Sequence, residues 1–404
     1  MNNNNITYKD SPLSKIPNDW EVKHFEDVAD IDNESLNGMT SKDYEFDYIS
    51  LSDVDSDDFK IETTKQVFAT APSRARRIVH KGDVLMSTVR PNLQGFSFIR
   101  DDVKDLIAST GFAVITAKKC NNEYLFQYLF STGISKQLYQ LLVGSNYPAI
   151  NSSDVRKLKL PVPPLPEQKA ISHVLGLMDS AINTNNQLIA KKELQKKWLM
   201  QKLFTRKKRL KEFSVGWKNF KLEYFIEDYN EKPKDGIKYE VLTSAKAGLM
   251  KQTDYYGDNR ITNREDADYN VIPPNYLTYR SRSDDGLFTF NKNTLGFVGL
   301  ISGYYPVFTI KNGDLDFILM YCNSYRYKFK KYCIGTSQLV LSMNALKSAN
   351  FTLPQKEEQT AIAKVLQAAD IEISLLKSKT ERLREQKKGL MQVLLTGKKR
   401  LVIN

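Results

Sequence analysis

Groups able to do chemistry are sparse in this chain of 404 residues. Its three histidines, His24, His80 and His173, lack the partner spacing of a metal site or a hydrolytic triad. Asp53, Asp55 and Asp57 open like a calcium loop, but Asp58 stands where that loop needs glycine and Thr64 where it needs glutamate. They read as a solvated acidic turn. Ile272-Pro273-Pro274-Asn275-Tyr276 scrambles the Asn/Asp-Pro-Pro-aromatic pattern of adenine methyltransferases, and no phosphate-cradling or dinucleotide glycine motif occurs. Asp19, Glu21 and Lys23 match a nuclease centre only loosely. The chain reads as a binding protein and not as an enzyme, with no metal and no cofactor of its own.

Residues suited to holding DNA are easier to find. Arg74, Arg76, Arg77, His80 and Lys81 form a basic cluster, followed by Arg90 with Asn92 and Gln94; further on come Lys246, Lys251, Arg260, Arg264, Arg280 and Arg282. Arginine reads guanine bidentately, asparagine or glutamine reads adenine, and lysine mostly neutralises phosphate. A solvated surface is the alternative for each. Two loops at matching places, Gly144-Ser145-Asn146-Tyr147 and Gly335-Thr336-Ser337-Gln338, suit a phosphate clamp and equally an ordinary turn.

Composition narrows the class. A hydrophobic share of 41% with 14 Pro and 19 Gly is that of a folded protein, and the length asks for two or more domains. Cys120, Cys322 and Cys333 are odd in number and have no C-x-x-C spacing, which favours a reducing cytoplasm. Neither a long apolar run nor a signal peptide is present, so a membrane is not expected. The net charge of +12 is local: residues 161–212 carry 11 basic against 4 acidic residues, residues 354–404 carry 11 against 6, and the remainder balances at 37 of each. A uniformly basic coat for nucleic acid is excluded.

Those two basic stretches are copies of each other. At an offset of 191, 21 of the 48 residues from Pro163 to Leu210 are identical to their counterparts, from the Glu-Gln of 167–168 and 358–359 to the T-x-K-K-R-L of 205–210 and 396–401. Trp20 and Trp217 mark the start of each half, and between these anchors the halves diverge. One scaffold carrying two different specificities would leave this pattern. Each copied stretch has the apolar spacing of a coiled-coil helix: Ile171, Leu175, Met178, Ile182, Ile189, Leu199 and Leu203 in the first, and Ile362, Leu366, Ala369, Ile373, Leu376, Leu383, Leu390 and Leu394 in the second. Asn185, Lys192 and Lys196 interrupt one stripe, Thr380 and Lys387 the other. A helix of about 38 residues spans roughly 57 Å, and an apolar seam of that length requires a partner. Antiparallel pairing of the two seams within one chain is the simplest solution, giving a pseudo-twofold repeat; an intermolecular zipper is the alternative.

Strand patterns at 47–51, 83–89, 96–99, 112–116, 239–243, 276–280 and 295–301, with helical patterns at 122–142 and 313–332, make each half a mixed α/β domain. The fold expected is α+β, with domains at 1–155 and 213–348 and helical spacers at 156–212 and 349–404.

Two divergent halves, Trp20 in IPNDWEVKHFEDV, the Gly144–Ile150 segment, PPLPEQ at 163–168 and the basic tails together resemble the specificity subunit of type I restriction–modification systems. The second copy departs from the pattern at Gln355-Lys356-Glu357. The resemblance implies two target recognition domains, each reading one half of a split, asymmetric site in double-stranded DNA, with the helices as spacer. It implies as partners two methyltransferase subunits, which would supply S-adenosylmethionine, and restriction subunits for cleavage. An architectural coiled-coil adaptor binding proteins through its globular ends is the competing reading.

Overall fold

The computed structural model describes residues 7–55, 60–142, 148–245, 248–257 and 269–401. The chain divides into two compact units, residues 1–191 with 374–404, and residues 192–373. Both divisions fall inside a long helix, Leu165–Phe204 or Lys356–Leu394. Pro166 lies in the first turn of its helix, where the N–H it lacks would have had no partner.

In the first unit one antiparallel sheet has the spatial order 96–98, 84–87, 112–117, 29–31. A second has the order 64–67, 45–49, 106–109, 75–79, with 45–49 and 106–109 parallel. Val84 and Met86 face the helices, while Leu85 faces Ile49, Val79, Leu106 and Ala108 of the second sheet. Burial on both faces explains why Val84–Ser87 reads as an unbroken run and not an alternation. The second unit repeats the plan. Its sheets run 226–229, 307–310, 277–279, 290–292 and 248–251, 240–245, 299–302, 269–272, with 240–245 and 299–302 parallel.

Two details depart from the sequence pattern. The helical stretch 122–142 is broken into Asn122–Leu129 and Thr132–Leu142, because Ser131 Oγ accepts the Ile134 N–H and starts a new helix. The stretch 313–332 becomes helix Leu315–Ser324, capped by Asp314, followed by a 3-10 helix at Arg326–Tyr332.

Each unit holds two antiparallel helical segments. In the first, Glu167 meets Arg400 at 2.6 Å and Asp179 meets Lys387 at 2.6 Å; in the second, Lys192 meets Glu372 at 2.7 Å, Lys196 meets Asp370 at 2.5 Å and Arg209 meets Glu358 at 2.6 Å. Along each pair the numbers rise on one helix as they fall on the other. Ile171, Leu175, Ile182, Leu203, Ile362, Leu366, Ile373 and Leu394 are buried, and Met178, Ile189, Leu199, Ala369, Leu376, Leu383 and Leu390 are half-buried. The polar interruptions lie on the same stripes. Asn185 and Thr380 are buried, and Lys192, Lys196 and Lys387 each find a carboxylate.

The Glu-Gln pair shared by the two copies fastens each domain to its helices. Gln168 accepts the backbone N–H of Asn121 and donates to Pro163 O, both at 2.7 Å; Gln359 repeats this with Asp314 N and Pro354 O at 2.9 Å. Glu167 accepts from Trp20 Nε1 at 3.0 Å and from Arg400, which also grips Asp19. Glu358 holds Arg209, whose Nη2 also donates to Val215 O at 2.7 Å, while Trp217 Nε1 has no partner among the described residues. Gly397 allows the first arrangement: it sits at φ +68, and a Cβ there would lie 2.4 Å from Pro17 Cδ.

Arg400→Ala leaves Glu167, only 3% exposed, without its cation. The first unit should lose about 2–4 kcal/mol, near the lower end for a broken buried pair because Arg400 is itself partly exposed. Thermal unfolding checks this against Arg384→Ala, which removes an exposed pair and should cost under about 0.5 kcal/mol. The hydrogen bond from Arg400 holds the Asp19 carboxyl below its usual 3.8. A carboxyl lowered by folding adds stability above about pH 4 and loses it as pH falls through the folded value, so the Arg400→Ala deficit should shrink on acidification.

Candidate nucleic-acid interface

The basic cluster of the first domain does not form one surface. Arg74 is exposed in a turn, and its guanidinium makes no hydrogen bond or ion pair among the described residues. Arg76 and Arg77 follow in strand Ala75–Val79, whose register with 106–109 shifts between Ala108 and Ser109. Such a bulge re-aims neighbouring side chains. Arg76 lies over the Phe68 ring at 4.9 Å. Arg77 reaches Asp32 at 3.0 Å, and the Asp32 side chain is 3% exposed. Arg77 thus neutralises a buried carboxylate. Lys81 is exposed and paired with Asp102 at 2.8 Å, and His80 meets Glu34 at 3.2 Å.

Arg90 and Asn92 sit on a more constrained loop. After strand 84–87, Val89 bridges Ala149, Ile150 donates to Thr88 O at 2.9 Å and Arg90 N–H donates to Pro148 O at 2.7 Å. Between this stem and Gly95, Pro91–Leu93 form one 3-10 turn flanked by Arg90 at φ +49 and Gln94 at φ +55. Left-handed residues other than glycine cost of order 1–3 kcal/mol each and persist where the surroundings enforce them. Arg90 and Asn92 are exposed, and Leu93 at the apex is 66% exposed. Ser145, Asn146 and Tyr147 lie outside the described residues.

The second domain uses the same stem with another tip. Leu341 donates to Ser281 O at 2.9 Å, strand Arg282–Ser283 pairs with Leu339–Val340, and the buried Tyr279 hydroxyl donates to Leu341 O at 2.9 Å. Burial raises the Tyr279 pKa, keeping that donor protonated. Arg280 and Arg282 are exposed, and Arg282 stacks over Tyr304 at 4.6 Å. Both arginines line two cavities of about 370 Å³ each, one with Asp284, Asp285 and Arg326, the other with Thr243, Tyr256 and Gln338. Thr336, Ser337 and Gln338 are exposed, following Gly335 at φ +105, where a Cβ would lie 2.3 Å from Gln338 O. Gln338 Nε2 lies 3.4 Å from Asp284 Oδ1. Thus Arg280, Arg282 and Gln338 come together, whereas Lys251 lies over Phe297 at 5.7 Å and 3.8 Å from Glu240. Lys246, Arg260 and Arg264 are outside the described residues. Leu93, Tyr304 and Arg326 were not singled out from sequence; an apolar residue inside an Arg-Pro-Asn-Leu-Gln turn was the available signal for the first.

No cluster of metal-ligating side chains occurs among the described residues. Asp19 is held by Arg400, and Glu21 meets Lys23 at 2.9 Å.

A family model described as the type I restriction modification DNA specificity domain matches residues 17–194 and again 214–385. The chain belongs to this family of specificity subunits. The MjaX specificity subunit of Methanocaldococcus jannaschii, a putative type I restriction enzyme subunit, is 25% identical over 98% of this chain and 97% of its own length. The MjaVIII specificity subunit of the same organism is 26% identical over 98% and 96%. Among solved structures, a chain from a study of type I R-M complex assembly and conformational transition superposes with TM-score 0.60 at 21% identity, covering 95% of this chain and 99% of that one. The HsdS subunit of Thermoanaerobacter tengcongensis gives 0.50 at 23% identity, covering 96% and 99%. At these identities the superpositions speak for the fold. Both globular halves of this specificity subunit are DNA specificity domains, and the adaptor reading is set aside. No helix among the described residues is long and apolar enough to cross a membrane.

The geometry separates supporting arginines from exposed ones. Arg77→Ala should lower the unfolding midpoint by stranding buried Asp32, at a cost of about 2–4 kcal/mol. Arg280→Ala should leave the midpoint unchanged and weaken DNA binding by about 1–3 kcal/mol if it reads a base, or lower the salt slope by about one if it meets phosphate. Calorimetry and salt-dependent binding titrations distinguish the two.

Proposed function

We propose that this specificity subunit reads a bipartite, asymmetric duplex site, the first domain through Arg74, Arg76, Arg90 and Asn92 and the second through Arg280, Arg282 and Thr336–Gln338. The observation that carries this reading is the repeated stem: an antiparallel pairing and the same backbone tie, Ile150 to Thr88 O and Leu341 to Ser281 O, carry segments of different chemistry, Arg-Pro-Asn-Leu-Gln at 90–94 and Arg-Ser-Arg-Ser-Asp-Asp running from the stem into the turn at 280–285. The chain is non-catalytic and cytoplasmic. Its long helices dock two methyltransferase subunits that bring S-adenosylmethionine, with restriction subunits joining them. The absence of a cofactor motif in the sequence supports this division of labour.

Exchanging residues 1–150 for those of a relative should change one half of the methylated motif and leave the other intact, as read by base-resolution methylation mapping. The spacer serves as a ruler. Because Asp179–Lys387 and Lys192–Glu372 flank Asn185, lengthening one helix alone puts these pairs out of step, so four residues are added near Asn185 and four near Thr380 together. Each addition is about 6 Å and close to one helical turn, and at about 3.4 Å per base pair the gap between half-sites should grow by roughly one to two base pairs. An unchanged gap in an active complex would show that the helices do not set the distance.

A further inference from the structure

The Arg90–Gln94 turn presents an apolar side chain where the rest of its tip is hydrogen-bonding. Leu93 is 66% exposed and belongs to no apolar cluster among the described residues. It is nevertheless held firmly: the turn is tied to Pro148–Ile150 at its stem, Pro91 is buried, and two left-handed residues, Arg90 and Gln94, fix the chain on either side of it. A loop that only connected two strands would not need two such residues, nor would it spend them on exposing a leucine. Asn92 and Gln94 on either side of it, and Arg90 at the start of the same turn, are side-chain types that form bidentate bonds to base edges.

We propose that Leu93 is a specificity-determining residue of the first domain, packing against the 5-methyl group of a thymine in the major groove. This rests on the DNA-reading function proposed above. A methyl group is the one apolar feature on the edge of a standard base pair, and it lies in the major groove beside hydrogen-bonding atoms. An isobutyl tip directly after Asn92, on the same turn as Arg90, matches that juxtaposition. The rigid turn adds specificity, because a flexible leucine would reach methyl groups at several positions.

The test uses the assembled complex with its methyltransferase subunits and duplexes carrying the site mapped by methylation. Each thymine of the half-site read by the first domain is replaced in turn by uracil, which removes only the methyl group. At one position wild-type affinity should fall about fourfold, the effect of one buried methyl-sized group. L93A should bind intact DNA about as weakly as wild type binds that uracil duplex, and should be indifferent to uracil there. Its sensitivity to changes in the other half-site should remain that of wild type, which also shows that the variant is folded. Wild-type affinity in L93A, persisting methyl sensitivity in L93A, losses at both half-sites, or a first half-site with no methyl-sensitive thymine each overturns the proposal. If exchange of residues 1–150 leaves the methylated motif unchanged, the underlying reading fails instead.

Discussion

The ion pair between Glu167 and Arg400, copied as Glu358 and Arg209, is the contact on which each half depends. It joins the beginning of one long helix to the tail of the other, and it does so beside a tryptophan that belongs to the globular domain. The glutamates are almost wholly out of water, so their charge is tolerable only while the arginine is present. The adjacent glutamine ties the same helical turn to the cap of a domain helix. Further along, the segments 148–150 and 339–341 that lead toward the helices form the backbone ties under the exposed loops. Within each unit the exposed loop is therefore connected to the helix pair by a short series of fixed contacts, not by a free linker.

The copies are not equal. In the first, Arg400 has two carboxylates and Trp20 has an acceptor; in the second, glycine stands at 216, Arg209 has one carboxylate, and Trp217 Nε1 lacks a partner among the described residues. The seam differs too. Asp179, buried with Lys387 and Gln127, sits in a setting where misalignment would leave a charge uncompensated, whereas Asp370 opposite Lys196 is half open to solvent. Polar residues at seam positions commonly exchange stability for register, and here they alternate with apolar ones along both helices.

Much of this could be read without coordinates where the signal was periodic or duplicated. The helix stripes, the repeat and the lysine interruptions were visible because coiled-coil spacing and ungapped identity are local properties of sequence. The strands 75–79, 106–109, 269–272 and 307–310 were not: each is only four or five residues long, and Ala75–Val79 carries two arginines in the middle of its run. The basic cluster was visible as composition but not as geometry. Adjacent arginines 76 and 77 meet an aromatic ring and a buried carboxylate, and Asp32, 45 residues earlier, could not be assigned to either from sequence. The pairing of Arg282 with Tyr304 was equally hidden, since it joins two loops through the tertiary fold.

The interleaved membership of the first unit bears on how the chain emerges from the ribosome. Residues 192–373 are contiguous and contain both members of their own clasp, so that unit can close as soon as Glu358 has been made. The first unit cannot. Glu167 waits for Arg400, 233 residues downstream, which at synthesis rates of about 5–20 residues per second is roughly 10–50 s. For that interval Trp20 and the apolar face around Ile171 and Leu175 lack the Leu394–Leu395 turn that covers them. The domain made first is the one completed last, and a nascent chain halted before its final helix would present an unfinished first domain beside a finished second one.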